Sequence, residues 1–333
     1  MKLLFVCNYK YGVGGISGQV DLLQEKLRKE GHVADVFSTK APNWKRMLML
    51  PKLRRVAKNY EVIHVHCCSN WGFLPAVMGV SVGKRLGKRV VLSFHGGDGE
   101  MFFDRYPRLV RHFLTKTDVN IVLSGFLAKI FDKHGLPYVV IPNIIEIDSS
   151  RFQRRHPLRP NFICTRAHET LYNIPCVLRA FQRVQRELPE ATLTLVGGGS
   201  QHQQLVHMAE AMGLQHVVFT GKVDNRDIYQ YLDRSDILLS APVIDNLPVS
   251  VLEAMNAGLL VIASRVGGVP YLIEDHVTGL LFESDCDEEL AQKMLWAVSN
   301  QEKSEEILKK ANLKVCDYRW DNVKVKLLTV YGQ

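Results

Sequence analysis

The feature that most constrains this chain is a twice-repeated alternation of short apolar runs with amphipathic stretches. KLLFVCNY, VADVFST, VIHVHC, RVVLSFH, VNIVLS and YVVIPN read as strands in the first half. Between the first two, Gly18–Lys29 carries Val20, Leu22, Leu23 and Leu27 at helical spacing, and Gly31 closes it. Near-continuous apolar strands separated by helices predict a parallel sheet covered on both faces. A polar stretch with two prolines, residues 145–160, reads as a linker. The alternation then restarts with NFICTR, ATLTLVGG, HVVFTG, DILLSAP and LLVIAS as strands, and with CVLRAFQRVQREL, DIYQYLDRS, SVLEAMNAG and DEELAQKMLWAVSN as helices. The expectation is an α/β chain of two doubly wound domains, 1–150 and 151–318, facing across a cleft. Such sheets bind ligands beyond the carboxyl ends of their strands.

Charge divides the same way. The 333 residues carry a net +8, but residues 1–150 hold 22 basic and 12 acidic side chains, and the remainder holds 20 and 22. A basic half joined to a near-neutral half points to an anionic partner for the first. Within it, Pro42–Lys58 mixes Trp44, Met47, Leu48, Met49, Leu50 and Leu53 with six basic residues and no acid, which suits an anionic membrane surface, although Pro51 interrupts a single helix. Lys84, Arg85, Lys88, Arg89, Arg105, Arg108 and Arg111 extend the patch. No nucleic-acid-reading motif accompanies the charge. The seven cysteines are irregularly spaced without CxxC, which fits a reducing compartment. Val62–Gly83 lacks Asp, Glu, Lys and Arg over 22 residues, but its histidines, Pro75 and three glycines argue against a membrane span. MKLLFVCNYK lacks a signal-peptide build. These features predict a cytoplasmic protein, soluble or peripheral on the inner face of the cell membrane.

Three segments carry chemistry. Gly12, Gly14, Gly15 and Gly18 lie between the first strand and first helix, where glycines let backbone N–H groups approach an anion. Ser17 stands where a dinucleotide fingerprint needs Gly or Ala. His95 ends a strand, before Gly96-Gly97-Asp98. His64 and His66 share a strand face; a metal pair is conceivable, but no third ligand is evident and packing is the better reading. The third segment runs from Asp245 to Gly258. A strand ends, Asp245 sits in the loop, and a helix is expected to begin near Pro248. Its free N–H groups at Val249, Ser250 and Val251 would face an anion, and Glu253 would accept two hydroxyls of a ribose-like diol. Asp285-Cys286-Asp287 precedes a helix and reads as its cap rather than as a metal motif.

The Asp245–Glu253 segment resembles the E-x7-E motif of retaining GT-B glycosyltransferases of family 4, with Asp in place of the first Glu. The glycine loop, the strand-end His95, Ser124 with VVIPNI, TLTLVGGGS, VVFTGKV, GGVPYLIEDHVTGLLF and YRWDNV resemble other family segments in the same order, over nearly the whole chain. The resemblance implies transfer of a sugar, with retention and without a metal or cofactor, from a nucleotide-sugar co-substrate to a glycan or lipid-linked acceptor in polysaccharide or cell-envelope biosynthesis. Carried onto this sequence, Glu253 would hold the ribose, and Asp245, Asn246 and Leu247 the donor sugar. Arg166, Ser250 and Val251 would bind the diphosphate. His95 would sit beside the transferring sugar, Lys222 near the base, and Gly14 and Gly15 at the donor. A helix near 319–333 would cross back to the first domain. One departure is the loop Arg166-Ala-His-Glu-Thr-Leu-Tyr-Asn, which lacks the family's usual lysine; His168 is a candidate substitute. Two other readings stand beside this one: a GT-B sugar-nucleotide epimerase using Asp98 and Glu100, and a glycan- or membrane-binding protein without turnover.

Overall fold

A computed structural model describes residues 1–11, 15–42, 45, 47–146, 152–224 and 227–332. The chain forms two compact units, Met1–Glu146 with Tyr318–Gln333, and Ile147–Asp317. In the first, β1 (Lys2–Cys7), β2 (Val33–Ser38), β3 (Val62–Cys67), β4 (Arg89–Phe94), β5 (Val119–Val122) and β6 (Val139–Val140) form a sheet of order β2-β1-β3-β4-β5-β6. In the second, β7 (Asn161–Cys164), β8 (Thr192–Val196), β9 (Val217–Gly221), β10 (Ile237–Ser240), β11 (Leu260–Ser264) and β12 (Leu280–Phe282) take the order β12-β11-β10-β7-β8-β9. All pairings between these strands are parallel. Each unit is therefore an open doubly wound α/β layer, because parallel neighbours need crossovers and helices cover both faces.

The apolar spacing explains which faces meet. In the first unit Leu3, Phe5 and Cys7 share one side of β1 and pack with Val20, Leu23 and Leu27 of helix Gly15–Lys29 and with Trp320, Val323, Leu327 and Tyr331 of helix Trp320–Tyr331. Helix Leu74–Arg85 packs against β3 and β4. The C-terminal helix belongs to this unit by its contacts, with Trp320 Nε1 donating to Glu30 at 3.1 Å and Arg89 Nε to the Val330 carbonyl at 2.8 Å. In the second unit, Ile174, Val177, Leu178, Phe181 and Val184 recur at helical spacing along Ile174–Glu187 and enter the core with Phe162, Leu193, Ile237 and Ile262.

Several boundaries differ from expectation. The first helix starts at Gly15. Pro51 opens helix Leu50–Ala57 in its first turn rather than interrupting a helix, since its missing N–H costs nothing there. Only Val139–Val140 of YVVIPN pairs as strand. The polar stretch after residue 151 is fastened to the second unit: the buried Arg155 guanidinium donates to the carbonyls of Ser235 at 2.6 Å, Gln153 at 2.9 Å and Leu232 at 3.0 Å, and to that of Ala257. Asp287 lies inside the first turn of helix Asp287–Ser299, behind Cys286, and no side-chain cap forms. Instead it accepts from Arg179 and Arg183, each at 2.9 Å, and Asp285 accepts from Arg179 at 3.0 Å. The two acids thus tie helix Ile174–Glu187 to the start of helix Asp287–Ser299 through charge-assisted hydrogen bonds.

Candidate active site

The loops following β7, β8, β10 and β11 converge at the carboxyl ends of the second sheet. Arg166 leaves β7 two residues after its end. Its Nη2 donates to Asp245 Oδ2 at 2.7 Å and to Ser240 Oγ at 3.2 Å, and its guanidinium lies 5.1 Å from the centre of the Tyr172 ring. Arg166 Nε is buried without a hydrogen-bond partner. Asp245 is held in turn, its Oδ1 accepting the Asn246 N–H at 2.8 Å and its carbonyl accepting the Gly268 N–H at 2.9 Å. That backbone approach leaves no room for side chains: a Cβ on Gly267 would lie 2.0 Å from the Asp245 carbonyl oxygen, and one on Gly268 would lie 1.8 Å from that of Asn246. Gly267 also has φ +50, so glycine is required there on two counts.

Beyond this loop Pro248, extended at ψ 111, precedes helix Val249–Asn256. The expected start near Pro248 is therefore one residue later. Val251 N–H already donates to the Pro248 carbonyl at 3.1 Å, whereas the N–H groups of Val249 and Ser250 have no backbone acceptor among the described residues. Ser250 Oγ is buried and has no partner among the described residues. Asn246, Leu247 and Val251 are buried. Glu253 is partly exposed, and loss of water around it pushes its carboxyl up to about 7, with Arg166 drawing it back. A guanidinium, a helix start and a carboxylate with spare acceptors make a site that can take a diphosphate and a neighbouring diol.

His168, the candidate substitute for the missing lysine, is not a cation in this setting. His168 is fully buried, its Nδ1 is 2.8 Å from His202 Nδ1, and burial beside His202 lowers its pKa to about 4. It is neutral near pH 7 and does not replace a lysine. Lys222 is exposed, with its backbone beside Gly198.

In the first unit, His95 N–H donates to the Cys67 carbonyl at 2.8 Å, and its Nε2 is 2.9 Å from His66 Nδ1. His64 bridges Tyr331 Oη and Ser93 Oγ, each at 2.8 Å. The packing reading of the two strand histidines fits this arrangement. Among the described residues no group of three His, Cys, Asp or Glu is arranged to hold a metal ion. Glu100 is exposed and pairs with Lys133 at 2.9 Å, and Asp98 accepts from Asn70 at 3.2 Å. Gly12, Gly14 and Trp44 lie outside the described residues, whereas Gly15 is the exposed first residue of its helix. Sequence reasoning gave no role to Ser240, Tyr172 or Gly267–Gly268, although Tyr172 and the two glycines lie in segments it singled out; for Ser240 the signal was a serine inside the buried run ILLS.

Residues 146–314 match the family model described as glycosyl transferases group 1, which is half of the chain. The chain belongs to that family. Residues 29–149 match the model described as Glycosyltransferase Family 4. N-acetyl-alpha-D-glucosaminyl L-malate synthase of Bacillus anthracis is 24% identical over 305 residues, covering 86% of this chain and 78% of that protein. Phosphatidyl-myo-inositol mannosyltransferase of Mycolicibacterium smegmatis is 21% identical over 368 residues, covering 99% and 93%. Among solved structures, HepE of Anabaena in complex with UDP-glucose superposes with a TM-score of 0.80 at 18% identity, covering 99% of this chain and 98% of that one. The fold is GT-B, and this member of the family is a glycosyltransferase.

Proposed function

We propose that the chain transfers a sugar, with retention of configuration and without a metal ion, from a nucleotide-sugar donor to a lipid-linked or polysaccharide-precursor acceptor at a membrane face. The observation that carries this is the joined set Arg166, Asp245, Ser250 and Glu253 at the carboxyl ends of the second sheet. Arg166 and the free amides of Val249 and Ser250 meet the diphosphate, and Glu253 accepts from the ribose hydroxyls. On this reading Asp245, Asn246 and Leu247 read the donor sugar, Lys222 serves the base, and His95 serves the transferring sugar. The bond from the anomeric carbon to the phosphate oxygen breaks, a bond to the acceptor oxygen forms on the same face, and the acceptor proton passes to the leaving phosphate. No side-chain base is needed. Charge building on that phosphate is stabilised by Arg166.

The name of the phosphatidyl-myo-inositol mannosyltransferase supports a lipid acceptor, and the UDP-glucose complex of HepE supports a uridine nucleotide. The first unit supports the membrane face: Lys52, Arg54 and Arg55 are exposed on helix Leu50–Ala57 and Lys58 at its C-cap, while Leu53 and Ala57 anchor it in the core. Among the described residues no helix is long and apolar enough to cross a membrane. Incubation with UDP-glucose, UDP-N-acetylglucosamine and GDP-mannose tests the reading. Slow release of nucleoside diphosphate from one donor, giving a sugar of unchanged anomeric configuration, is expected. Release from none of them, by protein that also fails to bind UDP or GDP, would sink it.

A further inference from the structure

Strand β3 places His64 and His66 on one face, because side chains two residues apart project together. Both rings are buried, with centroids 4.2 Å apart and the Phe5 ring against each. The pairing of β3 with β4 sets His66 opposite Ser93, so His95 follows at the strand end within reach. There His66 Nδ1 and His95 Nε2 are 2.9 Å apart, with rings inclined by 26°. The His95 backbone is fastened at the same place through Cys67. One ring nitrogen of His95 is thus committed inside the unit, and Nδ1 is the nitrogen left to it.

The direction of this hydrogen bond follows from the remaining nitrogen of His66. Its Nε2 is buried and has no partner among the described residues. A buried N–H without an acceptor is rarer than an acceptor left bare, so the His66 proton belongs on Nδ1. His64 offers no alternative, since Tyr331 and Ser93 occupy both of its nitrogens. Burial keeps His64, His66 and His95 neutral near pH 7, and in a pair of neutral imidazoles one nitrogen must donate and the other accept. We infer that His66 is a positioning residue for His95: its Nδ1–H donates to His95 Nε2 and fixes His95 as the Nδ1–H tautomer, which presents a hydrogen-bond donor to an oxygen of the transferred sugar. The last clause rests on the proposed function; the tautomer does not. The bond His66 makes selects which nitrogen of His95 carries the proton, a control of the kind that second partners exert on functional histidines.

The experiment uses the full chain with nitrogen-labelled histidine and reads long-range proton–nitrogen correlations, assigned with single histidine substitutions. His95 should show the neutral Nδ1–H pattern, and His66→Leu should convert it to a mixture of tautomers. His66→Asn, which keeps an N–H near the Nδ1 position, should retain the pattern. With the donor that the protein hydrolyses, His66→Leu should lower kcat at least about tenfold with KM little changed, and His66→Asn should recover most of the loss. An Nε2–H pattern for His95 in the unaltered protein overturns the inference, as does a folded His66→Leu variant with an unchanged His95 pattern. The expected tautomer in a protein that hydrolyses no donor contradicts the proposed function alone.

Discussion

Arg166 and Asp245 are joined at 2.7 Å across the ends of β7 and β10, although 79 residues separate them in the chain. Each is mostly buried, at 11% and 19% side-chain exposure, so neither charge is well solvated without the other or a ligand. Arg166→Met should weaken UDP or GDP, whichever binds, by about 10- to 100-fold, the worth of a charged hydrogen bond of about 1.5–3 kcal/mol. Asp245→Asn should leave nucleoside diphosphate binding intact, because Arg166 is then uncompensated, while donor hydrolysis falls at least about tenfold. Calorimetric titration and a release assay check both, and equal losses of binding in the two variants would contradict the division of roles.

Glu253 gives the stability a pH dependence of definite sign. Its carboxyl is raised to about 7 in the folded chain, from 4.5, by desolvation. The folded state therefore binds the extra proton, and the contribution is full below pH 4.5 and lost as pH rises to about 7. Relative to Glu253→Gln, the unaltered protein should lose stability across that window with a slope of up to about 1.4 kcal/mol per pH unit. Denaturant unfolding at several pH values measures this. Parallel curves for the two proteins would count against a desolvated carboxyl.

The buried histidines act in the opposite direction. Burial lowers His64 to about 3, His95 and His168 to about 4, and His66 well below 6.5. Their contribution is full above pH 6.5 and is lost as pH falls toward 4, since only the unfolded chain takes up these protons. With Glu253 subtracting one, unfolding near pH 5.5 should take up about three protons. Calorimetry in buffers of different ionisation enthalpy reads the number directly, and a net release of about one proton would mean that the histidines are already charged in the fold.

The fold was legible because strands buried on both faces leave continuous apolar runs, and KLLFVC and LLVIAS are such runs. Part of the candidate site was legible for a different reason. Asp245 and Glu253 stand on either side of a helix start with the spacing of the E-x7-E motif that the segment resembles. Ser240 was not legible as a partner of Arg166, because it meets Arg166 through the pairing of β10 with β7, which the sequence does not show locally. His168 was misread for the same reason: a loop histidine carries no mark of the stacking on His202 that buries it. Nor did spacing show that β3 and β4 align to bring His66 to His95.

The basic helix Leu50–Ala57 predicts a membrane response separable from chemistry. Lys52, Arg54 and Arg55 are exposed, and the pattern buries only Leu53 and Ala57 on its inner side. At about 1 kcal/mol per basic residue near an anionic surface, changing these three to Gln should weaken sedimentation with anionic vesicles about 100-fold at low salt. Donor hydrolysis in solution should stay unchanged. Equal retention of both proteins by anionic vesicles, or by zwitterionic ones, would remove this helix from the interaction.

The most direct test of the nucleotide-sugar site is isothermal titration of the full chain and its Glu253→Ala variant with UDP and GDP. The arrangement of Arg166, Ser250 and Glu253 predicts that one of the two binds the unaltered protein and that Glu253→Ala weakens it by at least about tenfold. Equal affinity in the two proteins, or no binding by the folded, unaltered chain, would contradict a donor site at the carboxyl ends of the second sheet.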